Sequence, residues 1–267
     1  MPTGDRPEFI VRSTALAGLT LVAADSARRF DRHTHAVHGI GVIDAGGQHS
    51  ASGRGPVQAL RGEVITVNPG EVHDGIPMQG QNRRWRMLHL DVALWDSERP
   101  AVEWTRPVLR DARVAALVGA VFACAAAGAD ALAVEERLAL LLHHAPSTLG
   151  RTAPRPARAD GGRALAQARE RLAQALVPPS LAEMAREAAM SRTQFLRAFA
   201  AAFGLPPHAW ALQQRLARAE ALLAQGAVLA DAAAASGFAD QSHMTRAFRR
   251  FRGYTPGPCA ARRRWER

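Results

Sequence analysis

One pattern is written twice near the C-terminus, and that repeat restricts the fold more than anything else in the chain. The first copy is SLAEMAREAAMSRTQFLRAFAAAFG, Ser180–Gly204, and the second is VLADAAAASGFADQSHMTRAFRRFRG, Val228–Gly253. Each opens with a short Ala-rich helical pattern and breaks at a small-residue turn. Each then resumes with a polar first turn, an Arg, a Phe two residues later and a closing Gly. Arg197 aligns with Arg246, Phe199 with Phe248 and Gly204 with Gly253, a spacing of 49 residues. This is a helix-turn-helix followed by a second helix-turn-helix.

The helices around the repeat are legible from their caps. Arg163–Leu176 is a helical pattern stopped by Pro178-Pro179. Ser180 with Glu183 makes a capping box, Ser191 caps Arg192–Phe203, and Gly204-Leu-Pro-Pro ends that helix. His208–Gln225 is a long helix with Leu212, Leu216, Ala219, Leu222 and Leu223 on one face, joining the two halves. Val228–Ser236 leads through Gly237-Phe238 into Gln241–Phe251. Phe195, Phe199 and Phe203 in one unit, and Met244, Phe248 and Phe251 in the other, are spaced to face inward.

The opposite faces carry Arg192, Thr193, Gln194, Leu196 and Arg197 in the first unit. In the second they carry Gln241, Ser242, His243, Arg246 and Arg250. These residues are the candidate DNA contacts. Arg can bond guanine O6 and N7 together, and Gln can do the same with adenine. Arg249, Arg250 and Arg252 are expected to fix position on phosphates.

The charge falls where a polyanion would bind. Residues 1–150 carry 15 Arg and 16 acids, residues 151–159 carry 3 Arg and no acid, and residues 160–267 carry 16 Arg and 8 acids. The whole formal excess of +10 therefore lies in the repeat-bearing part and the stretch before it. A solvated basic surface is the bland alternative. All the cations are Arg, which in an Ala-rich chain says little by itself.

Residues Arg163 to Arg264 resemble the DNA-binding domain of the AraC/XylS family of bacterial transcription regulators. The resemblance rests on SxxxFxRxFxxxxGxPP at Ser191–Pro207, RxxxAxxLL at Arg215–Leu223, and GFADQSHMTRAFRRFRGYTP at Gly237–Pro256. It implies two units held by the middle helix in successive major grooves of double-stranded DNA. Leu196 departs from the pattern, standing where a polar base-reading residue is often found, so that half is expected to read shape or a thymine methyl.

The N-terminal half reads differently. Short apolar runs separated by Gly, Asp, Asn and Pro predict strands at Leu19–Ala23, His33–Ile43, Val57–Leu60, Val64–Val67 and Arg83–Leu90. Asp44-Ala-Gly-Gly and Asn68-Pro-Gly-Glu are turn signals. Such a pattern suggests a small sandwich or jelly-roll barrel. His33-x-His35 and, after the Gly62 segment, His73 are similar to the two motifs of the cupin barrel, with the second motif one residue longer than usual. Val37 and His38 stand where that barrel's acidic ligand is expected.

Three histidines are metal candidates, but the absent carboxylate favours an effector pocket that uses the imidazoles as hydrogen-bond partners. Strict alternation puts His33 and His35 on one strand face, and Trp85, Met87 and His89 on another that can line the same cavity. These six are the candidate effector-binding residues; the bland reading is ordinary core. The Arg-rich strand with Arg83, Arg84 and Arg86 leans towards an anionic ligand, but Arg84 and Arg86 fall opposite Trp85, so the lean is slight. Two helical patterns, Ala112–Ala127 and Leu132–Leu149, are expected either to pack on the barrel or to form a dimer seam.

The expected fold is multidomain α+β. Residues 1–149 form a cupin-like β-barrel with following helices, 150–162 form a Pro/Arg-rich linker, and 163–267 form an all-α domain with two helix-turn-helix units. Many members of the resembled family join such an arm to their DNA-binding half, and usually activate by contacting RNA polymerase. The expected function is therefore an effector-responsive, sequence-specific regulator and activator, not an enzyme and without a cofactor. Its expected partners are DNA, a small-molecule effector, RNA polymerase and a second copy as a homodimer. Two readings compete: a metal-binding cupin enzyme tethered to a DNA-binding domain, and a DNA-bound module whose barrel only dimerises. Cys124 and Cys259 are too few for a disulfide framework, and with no leader or membrane-length apolar run the expected location is the cytoplasm.

Overall fold

The computed structural model describes residues 8–53, 55–98, 102–145, 149–151 and 161–260. The chain divides into two compact units, Met1–Thr152 and Ala153–Arg267. Of the expected linker, 152–160 lie outside the described residues. No helix among the described residues is long and apolar enough to cross a membrane.

The N-terminal unit runs β1 (Phe9–Ser13), β2 (Leu19–Ser26), β3 (Phe30–His33), β4 (His38–Ala45), β5 (Gly47–Ser52), β6 (Gly55–Leu60), β7 (Val64–Val67), β8 (His73–Pro77) and β9 (Arg83–Leu90). There follow α1 (Val92–Glu98), β10 (Val102–Trp104), β11 (Val108–Leu109), α2 (Ala112–Ala126), α3 (Ala131–His144) and β12 (Leu149–Arg151). Six strands form one sheet in the order β1-β2-β9-β4-β7-β11, and four form a second in the order β3-β8-β5-β6. The sheets do not close into a barrel through hydrogen bonds. They share an interior built from Val22, Ile43, Val67, Trp85 and Met87 of the larger sheet with Phe30 and Ala59 of the smaller.

The expected strand His33–Ile43 is a correction. It breaks after His33, and β4 begins at His38, so the chain leaves the small sheet and enters the large one between them. β5 and β8 were not legible because GQHSAS and HDGIP carry little apolar alternation.

The other face of the large sheet carries the helices. Val114, Val118 and Val121 of α2 and Val134, Leu138 and Leu141 of α3 pack with Leu19, Ile40, Leu88 and Trp95 in one core. Each such side chain contributes about 1.5–3 kcal/mol on full burial. The apolar stripes of α2 and α3 thus pack against the sheet. Asp111 and Asp130 accept backbone N–H groups at the two N-termini. His38 stacks on Trp95 at 4.1 Å on this helix-bearing side, and burial lowers its pKa to about 4 despite Asp96 and Asn68, which raise it.

The C-terminal unit is helical: α4 (Gly161–Gln174), α5 (Leu181–Glu187), α6 (Arg192–Phe203), α7 (Pro207–Ala224), α8 (Leu229–Ala235), α9 (Gln241–Arg252) and α10 (Gly257–Ala260). It has two small cores. Leu165, Leu172, Met184, Phe195 and Phe199 form one, and Leu216, Ala232, Phe238, Met244, Phe248 and Phe251 form the other. Among the described residues only α7 enters both, with Ala211 in the first and Leu216, Ala219 and Leu223 in the second. It fixes the two helix-turn-helix units to each other, as the sequence predicts. Arg215 and Arg218 of α7 donate to carbonyls at and just beyond the end of α4, Arg215 to Leu176 at 3.1 Å and Arg218 to Gln174 at 3.2 Å and Ala175 at 3.1 Å.

Candidate functional site

The first candidate site is the solvent face of α6 and α9. In α6, Ser191 and Gln194 complete a capping box, and Gly204 closes the helix at φ 78°. Phe195 and Phe199 are buried, so the i, i+4 positions on the other side point outward. Arg192, Thr193, Gln194 and Arg197 are exposed, and Leu196 is half-buried. The Gln194 carbonyl oxygen accepts the Ser191 N–H at 2.9 Å. This bond uses one of the two lone pairs of that oxygen and holds the side chain against the helix N-terminus.

In α9, Asp240 caps the N-terminus and Gly253 closes the helix at φ 84°. Met244, Ala247, Phe248 and Phe251 are buried. Gln241, Ser242, Arg246, Arg249 and Arg250 are exposed on the opposite face. His243 is half-buried, edge-on to Phe238 at 5.3 Å.

Arg252 is a correction. It is 4% exposed and does not face solvent. Its Nε and Nη2 bond the two Glu220 oxygens at 2.6 and 3.0 Å, and Nη1 reaches Gln213 at 3.4 Å. Burial alone would lower the Arg252 pKa, but the Glu220 charge and hydrogen bonds raise it above the usual arginine value. Arg252 joins α9 to α7 and is not a phosphate contact.

The second candidate site is the interior between the two sheets. β9 lies between β2 and β4, so Trp85 pairs with Ala24 and Ile43, Met87 with Val22 and Gly41, and His89 with Thr20 and Gly39. A Cβ on Gly41 would stand 2.2 Å from the Met87 sulfur, and one on Gly39 would stand 2.9 Å from its methyl. Glycine at both positions lets Met87 lie across β4.

Alternation does not place His33 and His35, since His35 sits beyond the end of β3. They are brought together another way. β3 pairs with β8 so that His33 faces His73. The Asn68–Glu71 turn delivers β8, and Gly70 N–H donates to the His35 carbonyl at 2.8 Å. The rings of His33 and His73 lie 4.4 Å apart, those of His35 and His73 5.2 Å, and those of His35 and His89 5.4 Å. His33, His35 and His73 form one group whose ligand nitrogens lie within 4.8 Å of one another. All six predicted interior residues thus reach the space between the sheets or its rim.

Arg83, which the sequence offers only as part of a slight lean towards an anionic ligand, also reaches this interior. Arg83 shares the alternation of Trp85 and is 1% exposed. Its guanidinium lies 4.6 Å from the Trp85 ring and 5.8 Å from that of Phe30. It donates to the carbonyls of Arg28 at 3.2 Å and Gly75 at 3.5 Å, while its Nε has no hydrogen-bond partner. Burial lowers its pKa to about 10, leaving it cationic at neutral pH. The signal was its position two residues before Trp85. By contrast Arg86, on the other face, pairs with Asp44 at 2.7 Å.

Comparison with known proteins gives each unit a counterpart. Residues 16–142 match the model of the AraC-like ligand binding domain, and residues 184–262 match a helix-turn-helix domain model. Over 77 residues the chain is 38% identical to the virulence regulon transcriptional activator VirF of Yersinia enterocolitica and 35% identical to the HTH-type transcriptional regulator ExsA of Pseudomonas aeruginosa. Each match covers 28% of this chain and 28% of the relative. Among solved structures, unsaturated fatty acid bound ToxT from Vibrio cholerae aligns with a TM-score of 0.56 at 11% identity, over 94% of this chain and 97% of that one. A second ToxT structure, from Vibrio cholerae O395, aligns with a TM-score of 0.53 at 10% identity, over 90% and 95%. At such identity the likeness is one of fold.

Proposed function

The chain belongs to the AraC/XylS family of bacterial transcription regulators, and on that premise we propose that it is a sequence-specific DNA-binding regulator whose N-terminal unit answers to a small-molecule effector. The observation that carries this reading is the pair of exposed polar faces on α6 and α9, backed by buried aromatic cores and joined by α7. In the proposal each helix enters a major groove, and the two grooves lie about one turn, roughly 34 Å, apart along the duplex. Arg197 and Arg246 bond base edges, Gln241 reads a neighbouring base, and Leu196 meets a thymine methyl. Arg249 and Arg250 bond phosphates and supply the salt-dependent share of affinity.

The effector site is the interior face around Trp85, Met87 and the histidines. The buried Arg83 guanidinium between two aromatic rings favours a ligand with an apolar body and an anionic group. Such a ligand changes DNA binding only if it binds two states of the protein with different affinity. The proposal extends to the cytoplasm as site of action, to activation through contact with RNA polymerase, and to a homodimer. The activator role is supported by VirF being named an activator. The relatives named above are regulators, and the tethered-enzyme reading has no support in them.

The test is capture of genomic fragments by the purified chain at a fixed, stated salt concentration. Enriched fragments sharing a motif of two half-sites about one helical turn apart are expected. Capture of all fragments alike, lost steeply with salt, would reduce the C-terminal unit to a non-specific basic domain.

A further inference from the structure

A buried side-chain amide stands between the turn that delivers β8 and the strand pair at which the N-terminal unit ends. Asn68 is 5% exposed. Its side-chain nitrogen donates to the Trp104 carbonyl and to the Glu71 carboxylate, each at 3.0 Å, and its oxygen accepts the Trp104 N–H at 2.8 Å. With both N–H groups committed, the bond between this side chain and the His38 ring also falls on the oxygen. Two donors and two lone pairs are all used. Asn68 thus meets Trp104 as a neighbouring strand would, through both backbone groups of one residue.

On one side the amide holds the turn. The Glu71 carboxylate accepts the Asn68 backbone N–H at 3.2 Å, and the Glu71 N–H donates to the Asn68 carbonyl at 3.1 Å. From the same turn the Gly70 N–H reaches the His35 carbonyl at 2.8 Å, and the Glu71 carbonyl accepts from His73 Nδ1 at 3.0 Å. On the other side is β10. Successive residues of a strand turn their backbone groups to opposite edges. Trp104 gives its groups to Asn68, and the Val102 carbonyl accepts from Trp95 Nε1 at 2.8 Å. The edge that faces β12 therefore belongs to Glu103, opposite Gly150. β10 and β12 form a two-stranded sheet with three residues in each strand, a size that is marginal in water without outside support. Among the described residues β12 is also the last element before α4 of the C-terminal unit.

We propose that Asn68 is a positioning residue that couples the histidine-bearing turn to the pairing of β12 on β10. A displacement of the turn withdraws the amide from Trp104, β10 loses its support, and β12 leaves the pair. Other ties between β7 and the segment after β10 do not pass through Asn68. Thr66 Oγ1 donates to the Arg106 carbonyl at 2.6 Å, and the Thr66 N–H donates to that of Pro107 at 3.0 Å. The two larger sheets therefore keep their strands while β12 opens locally. The coupling rests on the N-terminal unit alone. Its use, as a signal that the interior is occupied, rests on the effector reading.

Amide hydrogen exchange of the full-length chain, read by mass spectrometry, tests the coupling without any ligand. Asn68→Ala is expected to speed exchange of the β12 amides by at least about tenfold. Asn68→Asp keeps the size but loses both N–H donors, and should act in the same direction. Exchange in β9, which lies between β2 and β4, reports opening of the whole unit and should not change. Gly70 holds φ 70° with nothing within 4 Å of a would-be Cβ, so Gly70→Ala strains the turn from the histidine side without a clash. It should speed β12 exchange in the otherwise unaltered chain and add nothing in the Asn68→Ala chain. Unchanged β12 exchange in both Asn68 variants overturns the coupling. So does a rise in β9 exchange by the same factor, or a Gly70→Ala effect that is absent or simply adds to that of Asn68→Ala. Capture of genomic fragments is scored separately on the unaltered chain, so that the coupling and the regulator reading can each fail alone.

Discussion

The two helix-turn-helix units share a backbone plan and divide the work differently. In each, the first helix ends in the same hydrogen-bond pattern, with Met190 N–H on the Ala185 carbonyl and Phe238 N–H on that of Ala233. Each second helix closes on a left-handed glycine, Gly204 or Gly253. The turn of the second unit is one residue longer, because Ala239 stands between Phe238 and the capping Asp240. Aligned on the second helices, Ala200 and Ala201 of the first unit become Arg249 and Arg250 of the second, and Phe203 becomes Arg252. The first unit packs Phe203 under Arg169 and beside Trp210, while the second buries an ion pair. The difference teaches that one scaffold can be closed by apolar packing or by a paired charge. It also leaves the exposed face of the second unit with more cations, which the proposed function assigns to phosphate, and that of the first more apolar.

The largest expected effect separates the two ways of closing the scaffold. Glu220→Ala strands the Arg252 charge in the core and should destabilise the C-terminal unit by about 3–5 kcal/mol in urea denaturation. A loss below 1 kcal/mol would mean that Arg252 escapes to solvent and the asymmetry is not structural. Next come the reading residues. Arg246→Ala and Arg197→Ala should each cost about 1–3 kcal/mol on the specific site and relax different base positions, while Leu196→Ala should cost less than about 1 kcal/mol. Equal relaxation at one shared position would collapse the two-groove picture.

The turns give a smaller and oppositely signed pair. Ala189 holds φ 52°, whereas its counterpart Gly237 holds φ 81° with its would-be Cβ 2.6 Å from the Leu176 carbonyl oxygen. Ala189→Gly should stabilise by about 0.5–1 kcal/mol and Gly237→Ala should destabilise by about 1–3 kcal/mol, both read from thermal unfolding. The smallest effect concerns phosphate. Arg250→Ala should weaken all sequences alike and lower the salt slope by about 1, and Ala201→Arg, which gives the first unit the same cation, should raise it by a similar amount.

How much the sequence disclosed follows the range of the forces involved. The helices were legible because caps, periodicity and closing glycines are local, as with Ser180 and Glu183 or Ser191 and Gln194. Arg252 was misread because residue type alone suggests solvent, and its partner lies 32 residues away on another helix. In the sandwich, His33, His35 and His73 do come together, but not for the reason alternation offers. Pairing of β3 with β8 and the Gly70 to His35 bond bring them together, and neither follows from alternation. Arg83 gave only a slight lean towards an anionic ligand and was not placed among the pocket residues, because burial of a cation is the exception.

If both units read DNA at once, as proposed, hydroxyl-radical footprinting on a captured site will show it. Two protected windows are expected on one face of the duplex, centred about 10 base pairs apart, with Arg197→Ala weakening one and Arg246→Ala the other. A single protected window, unaffected by Arg197→Ala, would contradict it.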